Sequence, residues 1–188
     1  MTLSADSLLL FGATGDLAQR MVLPSLFALH SDGLIPSQLV MLCTADGELT
    51  SDDFRSLVGA TIERYLPAER RRPGTTWDFL QQLRYVQLDA SQPEGYTVLS
   101  RALGNGGERN TAIFLSTAPS LFSPTIAGLQ YTGLTGERAR IGLEKPLGHD
   151  LASSRTINDA VAAAFPEERT FRIDHYLGKE TVQNLLAL

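Results

Sequence analysis

Apolar residues fall in short runs along this chain, at about 7–12, 39–43, 84–88, 111–117, 140–144 and 170–174, and each run leads into a stretch with helical spacing or capping residues. Runs of this length bounded by turn residues read as buried strands. Strand and helix in regular alternation build βαβ units, so the pattern predicts an α/β fold: a doubly wound, mainly parallel sheet with helices on both faces. The stretch Leu17–Leu29 keeps Leu17, Met21, Leu23 and Leu26 on one face, with Pro24 as the place for a kink. Thr50 or Ser51 is positioned to cap a helix through about Tyr65, with Asp52 and Asp53 at its positive end and Pro67 as a stop. Thr75–Leu83 reads as a shorter helix packed through Trp77, Phe79 and Leu80, and the charged stretch Glu69–Gly74 before it as a solvated loop. The chain shows no internal repeat, linker or low-complexity tract.

The first junction carries the strongest chemical signal. Leu8–Phe11 feeds Gly12, Ala13, Thr14, Gly15, Asp16 and Leu17, an apolar strand passing through a glycine turn directly into a helix. Unpaired N–H groups and the helix dipole at such a start favour a pyrophosphate, and glycines admit the turn and let the backbone approach it. This makes the sheet Rossmann-like, although G-x-x-G departs from the usual G-x-G-x-x-G spacing. A ligand-free turn between strand and helix is the alternative at this point. Ligands of such sheets lie beyond the carboxyl ends of the strands. There the second strand offers Thr44, Ala45 and Asp46, the third Asp89 and Ala90, the fourth Thr117, Ala118 and Pro119, and the fifth Glu144, Lys145 and Pro146. Asp46 is placed either to take the ribose hydroxyls of an adenosine or to make a surface turn with Gly47. Asp89 either meets an adenine edge or caps the next helix. Thr117 to Pro119 either runs beside a cofactor or is an ordinary strand end.

Composition narrows the classes. At 188 residues the chain suits one domain with a proper core, and 43% hydrophobic with 20% charged residues is ordinary for a globular protein. A net charge of −5 gives no basic footprint for nucleic acid. Cys43 is the single cysteine, expected to pack as a small apolar group, and three scattered histidines lack metal-ligand spacing, so no metal is expected. No apolar run reaches membrane-spanning length and Met1–Ser7 has no leader pattern, so a cytoplasmic location without membrane association is expected.

Two later clusters add a second chemistry: Glu144-Lys145-Pro146-Leu147-Gly148 and Arg172-Ile173-Asp174-His175-Tyr176-Leu177-Gly178-Lys179-Glu180. His175, Tyr176 and Lys179 bring an imidazole, a phenol and an ammonium into one short turn, a donor set suited to a phosphomonoester dianion. Together with the glycine turn, these clusters resemble the glucose-6-phosphate dehydrogenases, and the resemblance covers residues 1–188 as the amino-terminal NAD(P)-binding domain of that family. It implies oxidation of glucose 6-phosphate to 6-phosphoglucono-1,5-lactone with NAD(P)+, the first oxidative step of the pentose phosphate pathway. By resemblance His175, Tyr176 and Lys179 hold the sugar phosphate, Lys145 sits between substrate hydroxyls and the nicotinamide, and Pro146 is a cis proline. Asp174 then orients a histidine base that this chain does not contain. His30, His149 and His175 are not placed to replace it, and His149 is expected at the surface. The resemblance further implies a larger carboxyl-terminal domain that carries the base, more sugar contacts and the surface of a homo-oligomer. Without that domain, this chain is expected to be inactive and to expose an apolar sheet face.

Coenzyme choice departs from the NADP-using pattern, which the resemblance places at an arginine just after the second strand. That position falls here on Thr44 or Asp46. A carboxylate repels a 2′-phosphate and accepts from a free 2′-hydroxyl, so among NADP and NAD the expectation favours NAD, with Gln19 and Arg20 as groups able to reach a phosphate. Ser120, where the family often has a second proline, makes the adjoining contacts differ. Two other readings stand beside this one. One is a stand-alone nucleotide-binding module without catalysis. The other is a short-chain-type reductase, which needs Tyr-x-x-x-Lys on a helix and which Tyr176 and Lys179 miss by one residue.

Overall fold

A computed structural model describes residues 5–72, 74–104 and 109–174. Six strands, β1 (Ser7–Phe11), β2 (Val40–Ala45), β3 (Leu83–Gln87), β4 (Thr111–Leu115), β5 (Ala139–Glu144) and β6 (Thr170–Ile173), form one sheet in the order β3-β2-β1-β4-β5-β6. Every pairing is parallel, with Phe11 beside Thr44 on one flank and Leu115 on the other. All five residues of β1 are buried, as expected for the central strand of a sheet covered on both faces. The six strands fall within one or two residues of the positions predicted from apolar runs.

Helices α1 (Leu23–Ser31), α2 (Ser51–Tyr65) and α3 (Thr75–Gln81) lie on one face, where Leu8, Leu10, Phe27, Phe54 and Phe79 share a core. Helices α4 (Thr97–Leu103), α5 (Phe122–Tyr131) and α6 (Leu151–Ala164) cover the other face with Leu9, Phe11, Tyr96, Ile126 and Phe165. Thr50 is the cap of α2: its hydroxyl accepts from the Asp53 N–H at 3.1 Å while the Asp53 carboxylate accepts from the Thr50 N–H at 3.2 Å. Asp150 and Ser153 cap α6 in the same reciprocal way.

Two expectations are corrected. The helix read over Leu17–Leu29 is present, starting at Asp16, but it passes through a π-helical turn, Ala18–Val22, before continuing as α1 to Ser31. Pro24 is the reason: it has no N–H to give the Arg20 carbonyl, and the Leu23 N–H reaches back five residues to the Ala18 carbonyl. Trp77 does not pack α3 to the core. Phe79 is fully buried and Trp77, two residues before it and so on the opposite side of the helix, is 67% exposed. Cys43 is buried in the core of β2, and burial pushes its thiol pKa up, as expected of an inert packing residue.

Candidate functional site

Beyond the carboxyl ends of β1, β2, β3 and β4 lies a cavity of about 400 Å³. It sits at the point where the chain direction across the sheet reverses, between β1 and β4. The β1 turn contributes Gly12, Thr14 and Gly15, β2 contributes Thr44 and Asp46, β3 contributes Asp89 and Ala90, and β4 contributes Thr117 and Ala118. The structure thus gathers at one place residues singled out from four separate stretches of sequence.

Gly12 has φ +72°, and a Cβ built there would lie 2.8 Å from the Ser116 carbonyl oxygen and 3.0 Å from Thr117 Cγ2. Only glycine fits both the backbone and the space. The turn is tied closed from within and from its neighbours: the Gly15 N–H donates to the Gly12 carbonyl at 3.0 Å and the Ala13 N–H to the Thr44 carbonyl at 3.0 Å. The Ser116 hydroxyl donates to the Phe11 carbonyl at 2.6 Å.

Several residues named from the sequence take other positions. Ala13 is fully buried in the core under α1, so it shapes the turn and does not line the cavity. Asp16, Leu17 and Pro119 are also outside the lining. Asp16 is exposed and paired with Arg20 at 3.4 Å. Pro119 opens a 3-10 turn, Pro119–Leu121, whose last residue does line the cavity. Gln19 is turned inward: its amide donates to the Ala13 carbonyl at 2.7 Å and its oxygen accepts from the Thr61 hydroxyl at 2.5 Å, bracing the glycine turn against α2. Neither Gln19 nor Arg20 is directed at the cavity.

The walls are held by polar bonds. Asp89 accepts from the Ser91 N–H at 2.9 Å and the Ser91 hydroxyl at 2.6 Å, which makes an Asx turn ahead of α4 and holds its carboxyl below the usual value. Tyr96 is fully buried, stacks on Phe11 with centroids 5.9 Å apart and donates to the Ala90 carbonyl at 3.0 Å. Burial pushes its pKa up to about 12, so the phenol stays a donor. On the far side, β3 holds the connection that carries Asp46: Tyr85 Oη donates to the Ala45 and Gly47 carbonyls at 3.2 and 2.6 Å, and Gln87 Nε2 to the Asp46 carbonyl at 2.9 Å.

Sequence reasoning missed Ser91, Ser116 and Leu121. Ser91 was findable as the third residue of an Asp-x-Ser turn, and Ser116 as the first polar residue after β4; Leu121 carries no such mark.

Lys145 follows β5 and Asp174 follows β6, next along the same rim, and their side chains meet at Nζ–Oδ2 3.3 Å. Lys145 is 51% exposed at its side chain, its N–H donates to the Ile173 carbonyl at 3.0 Å, and the Lys145–Pro146 bond is cis, as the resemblance implied. His149 is exposed, as expected. His175, Tyr176 and Lys179 lie outside the described residues. Among the described residues no cluster of histidine, cysteine and carboxylate could hold a metal ion, and no helix is long and apolar enough to cross a membrane.

The cavity fits a nicotinamide dinucleotide. Gly12 and Gly15 line it, Gly12 in a backbone conformation and at a close approach that only glycine allows, and the buried hydroxyl oxygens of Thr44 and Thr117 have no hydrogen-bond partner among the described residues.

Known proteins agree with this geometry. The chain is 48% identical over all 188 residues to a glucose-6-phosphate 1-dehydrogenase of Zymomonas mobilis and 39% identical over 182 residues to one of Mycolicibacterium smegmatis, and spans 39% and 37% of their lengths. Among solved structures it superimposes on glucose-6-phosphate 1-dehydrogenase from Mycobacterium avium with a TM-score of 0.85, 29% identity, 96% of this chain and 38% of that one. It also superimposes on a glucose-6-phosphate dehydrogenase in complex with glucose 6-phosphate, with a TM-score of 0.84, 30% identity, 99% of this chain and 40% of that one. The chain therefore spans about two fifths of the proteins it matches. With residues 9–184 matching the family described as "Glucose-6-phosphate dehydrogenase, NAD binding domain", the chain belongs to the glucose-6-phosphate dehydrogenases, as their NAD-binding domain.

Proposed function

We propose that this chain is the coenzyme-holding part of a glucose-6-phosphate 1-dehydrogenase that favours NAD over NADP. The observation that carries the reading is the order of chemistry along one rim: a carboxylate at Asp46, the glycine cradle, the β4 end at Thr117, then the Lys145–Asp174 pair. When bound, the coenzyme supplies a hydride acceptor for the sugar C1. The Gly12–Gly15 turn, opening the helix that becomes α1, offers its positive end to the pyrophosphate. Asp46 accepts from a free 2′-hydroxyl and repels a 2′-phosphate. Lys145, next along the rim from Thr117, donates to substrate hydroxyls. Asp174 holds Lys145 in place and accepts from a base histidine in the remaining length of the protein, fixing its tautomer and stabilising the imidazolium as the O1 proton leaves. His175, Tyr176 and Lys179 bind the sugar phosphate as the resemblance implies. That remaining length is also the proposed source of the oligomer surface. A cytoplasmic location is part of the same proposal.

The test is coenzyme binding with and without substrate. Titration calorimetry should show one NAD site on the chain, with weaker NADP. Glucose 6-phosphate should yield reduced coenzyme with the full-length protein and none with residues 1–188. In the full-length protein, Asp174→Asn should lower kcat with little change in NAD affinity. Turnover by the 188-residue chain would overturn the assignment of the base.

A further inference from the structure

Asp46, which lines the cavity, is carried on a connection whose first three carbonyls are held by β3. From Ala45 to Gly47 three successive carbonyls face two β3 side chains: the single Tyr85 hydroxyl proton is shared between Gly47 at 2.6 Å and, more weakly, Ala45 at 3.2 Å, and Gln87 Nε2 donates to Asp46 at 2.9 Å. The Leu88 N–H adds a further bond to the Ala45 carbonyl at 2.8 Å. Further on, the Tyr85 N–H donates to the Ser51 hydroxyl at 3.0 Å, and the Tyr85 ring stacks on Phe54 with centroids 5.1 Å apart, so one residue ties both ends of the stretch that joins β2 to α2. Tyr85 and Gln87 are two apart on β3 and share the face over which that stretch crosses.

We propose that Tyr85 and Gln87 are positioning residues for coenzyme discrimination: by fixing the carbonyls of Ala45, Asp46 and Gly47 toward β3 they hold the Asp46 carboxylate at the cavity wall. This rests on the reading that Asp46 selects NAD. An exposed Asp-Gly pair would otherwise be free to swing a carboxylate into solvent, where screening reduces its repulsion of a 2′-phosphate to a small residue. A tethered one cannot retreat. The phenol suits this role because burial, then the negative charge of Asp46, raises its pKa, so it remains a donor across neutral pH. The ring itself is 7% exposed and does not line the cavity, so its influence on the coenzyme passes through the backbone it holds.

The experiment measures Kd for NAD and for NADP by calorimetry on the 188-residue chain and on Tyr85→Phe, Gln87→Met and Asp46→Asn, alone and combined, with folding checked by circular dichroism. Tyr85→Phe deletes the shared hydroxyl bond and keeps the stack on Phe54. The expected result is an NADP-to-NAD Kd ratio lowered about threefold or more in Tyr85→Phe and in Gln87→Met, consistent with a hydrogen bond's modest worth. In the Asp46→Asn background the same substitutions should leave the ratio unchanged, because the charge they position is gone. Wild-type preference for NAD with an unmoved ratio in both variants, or equal losses for both coenzymes, overturns the positioning role and leaves the Asp46 reading standing. A wild type that prefers NADP overturns both. Gln87 is an exposed residue, so its variant decides the question if Tyr85→Phe does not fold.

Discussion

Gly12 is the residue on which the site depends most narrowly. Its φ of +72° and the 2.8 Å approach to the Ser116 carbonyl leave no room for a side chain. Gly12→Ala should cost about 1–2 kcal/mol from the left-handed backbone alone, and displacing Ser116 adds to it, so thermal unfolding should shift down and NAD titration should lose its heat. Gly15 shows how two glycines of one motif differ. A Cβ there would meet only the Gly12 carbonyl at 3.1 Å, so Gly15→Ala should be the milder change in both measurements. At Asp46, Asp46→Arg should raise NADP affinity relative to NAD by about tenfold, the worth of exchanging a repelled for a paired phosphate; an unchanged ratio would contradict the selection by charge. Most of these residues were legible as types at strand ends, where ligands of such sheets lie, although each type also has a structural use there, as the Asx turn at Asp89 shows. Gln19 was not, because its partners Ala13 and Thr61 are set by how α2 lies against the turn.

At the scale of elements, the strands declared themselves because a parallel sheet buried on both faces demands apolar runs. What escaped was the direction in which each helix turns its side chains. Trp77 looked like core and is exposed, while Gly128, unmarked in sequence, sits against Tyr96 so closely that a Cβ would lie 2.4 Å from its ring. Gly128→Ala should therefore cost about 1–3 kcal/mol by overpacking, read in a denaturant melt, and should weaken NAD binding too, because Tyr96 holds the Ala90 carbonyl at the cavity wall. The helix starts give a pH signature. The Thr50 hydroxyl holds the Asp53 carboxyl below its ordinary 3.8, the Ser91 hydroxyl does so for Asp89, and the Ser153 N–H for Asp150. A carboxyl depressed in the native state stabilises it fully above its ordinary value, and the contribution is lost as pH falls through the depressed one. Melting temperature should thus fall below about pH 4, and Asp53→Asn with Asp150→Asn should flatten that fall.

For the whole molecule, strand order decides both where the site lies and which sheet face is open among the described residues. The order β3-β2-β1-β4-β5-β6 places the cavity at the reversal and puts Lys145 and Asp174 beyond it. Among the described residues the same order leaves β4, β5 and β6 open on the face where α1 ends its cover: a Cβ built on Gly142 would meet Phe114 and Ile173, Phe171 on β6 is 52% exposed, and Met21 and Leu29 line a hollow with Phe114. An apolar sheet face was an expectation of the family resemblance, and which residues form one could only come from register. Light scattering across a concentration series should show self-association of the 188-residue chain, and Met21→Lys with Phe171→Lys should suppress it; a monomer at every concentration would contradict the exposure of an adhesive face. The most direct test of the site as a whole is a calorimetric titration of the folded chain with NAD and then NADP. One saturable NAD site with tighter binding than NADP is the predicted result; no heat from either coenzyme, or tighter binding of NADP, would contradict the assignment of the rim from Asp46 to Thr117 as an NAD-selective cradle.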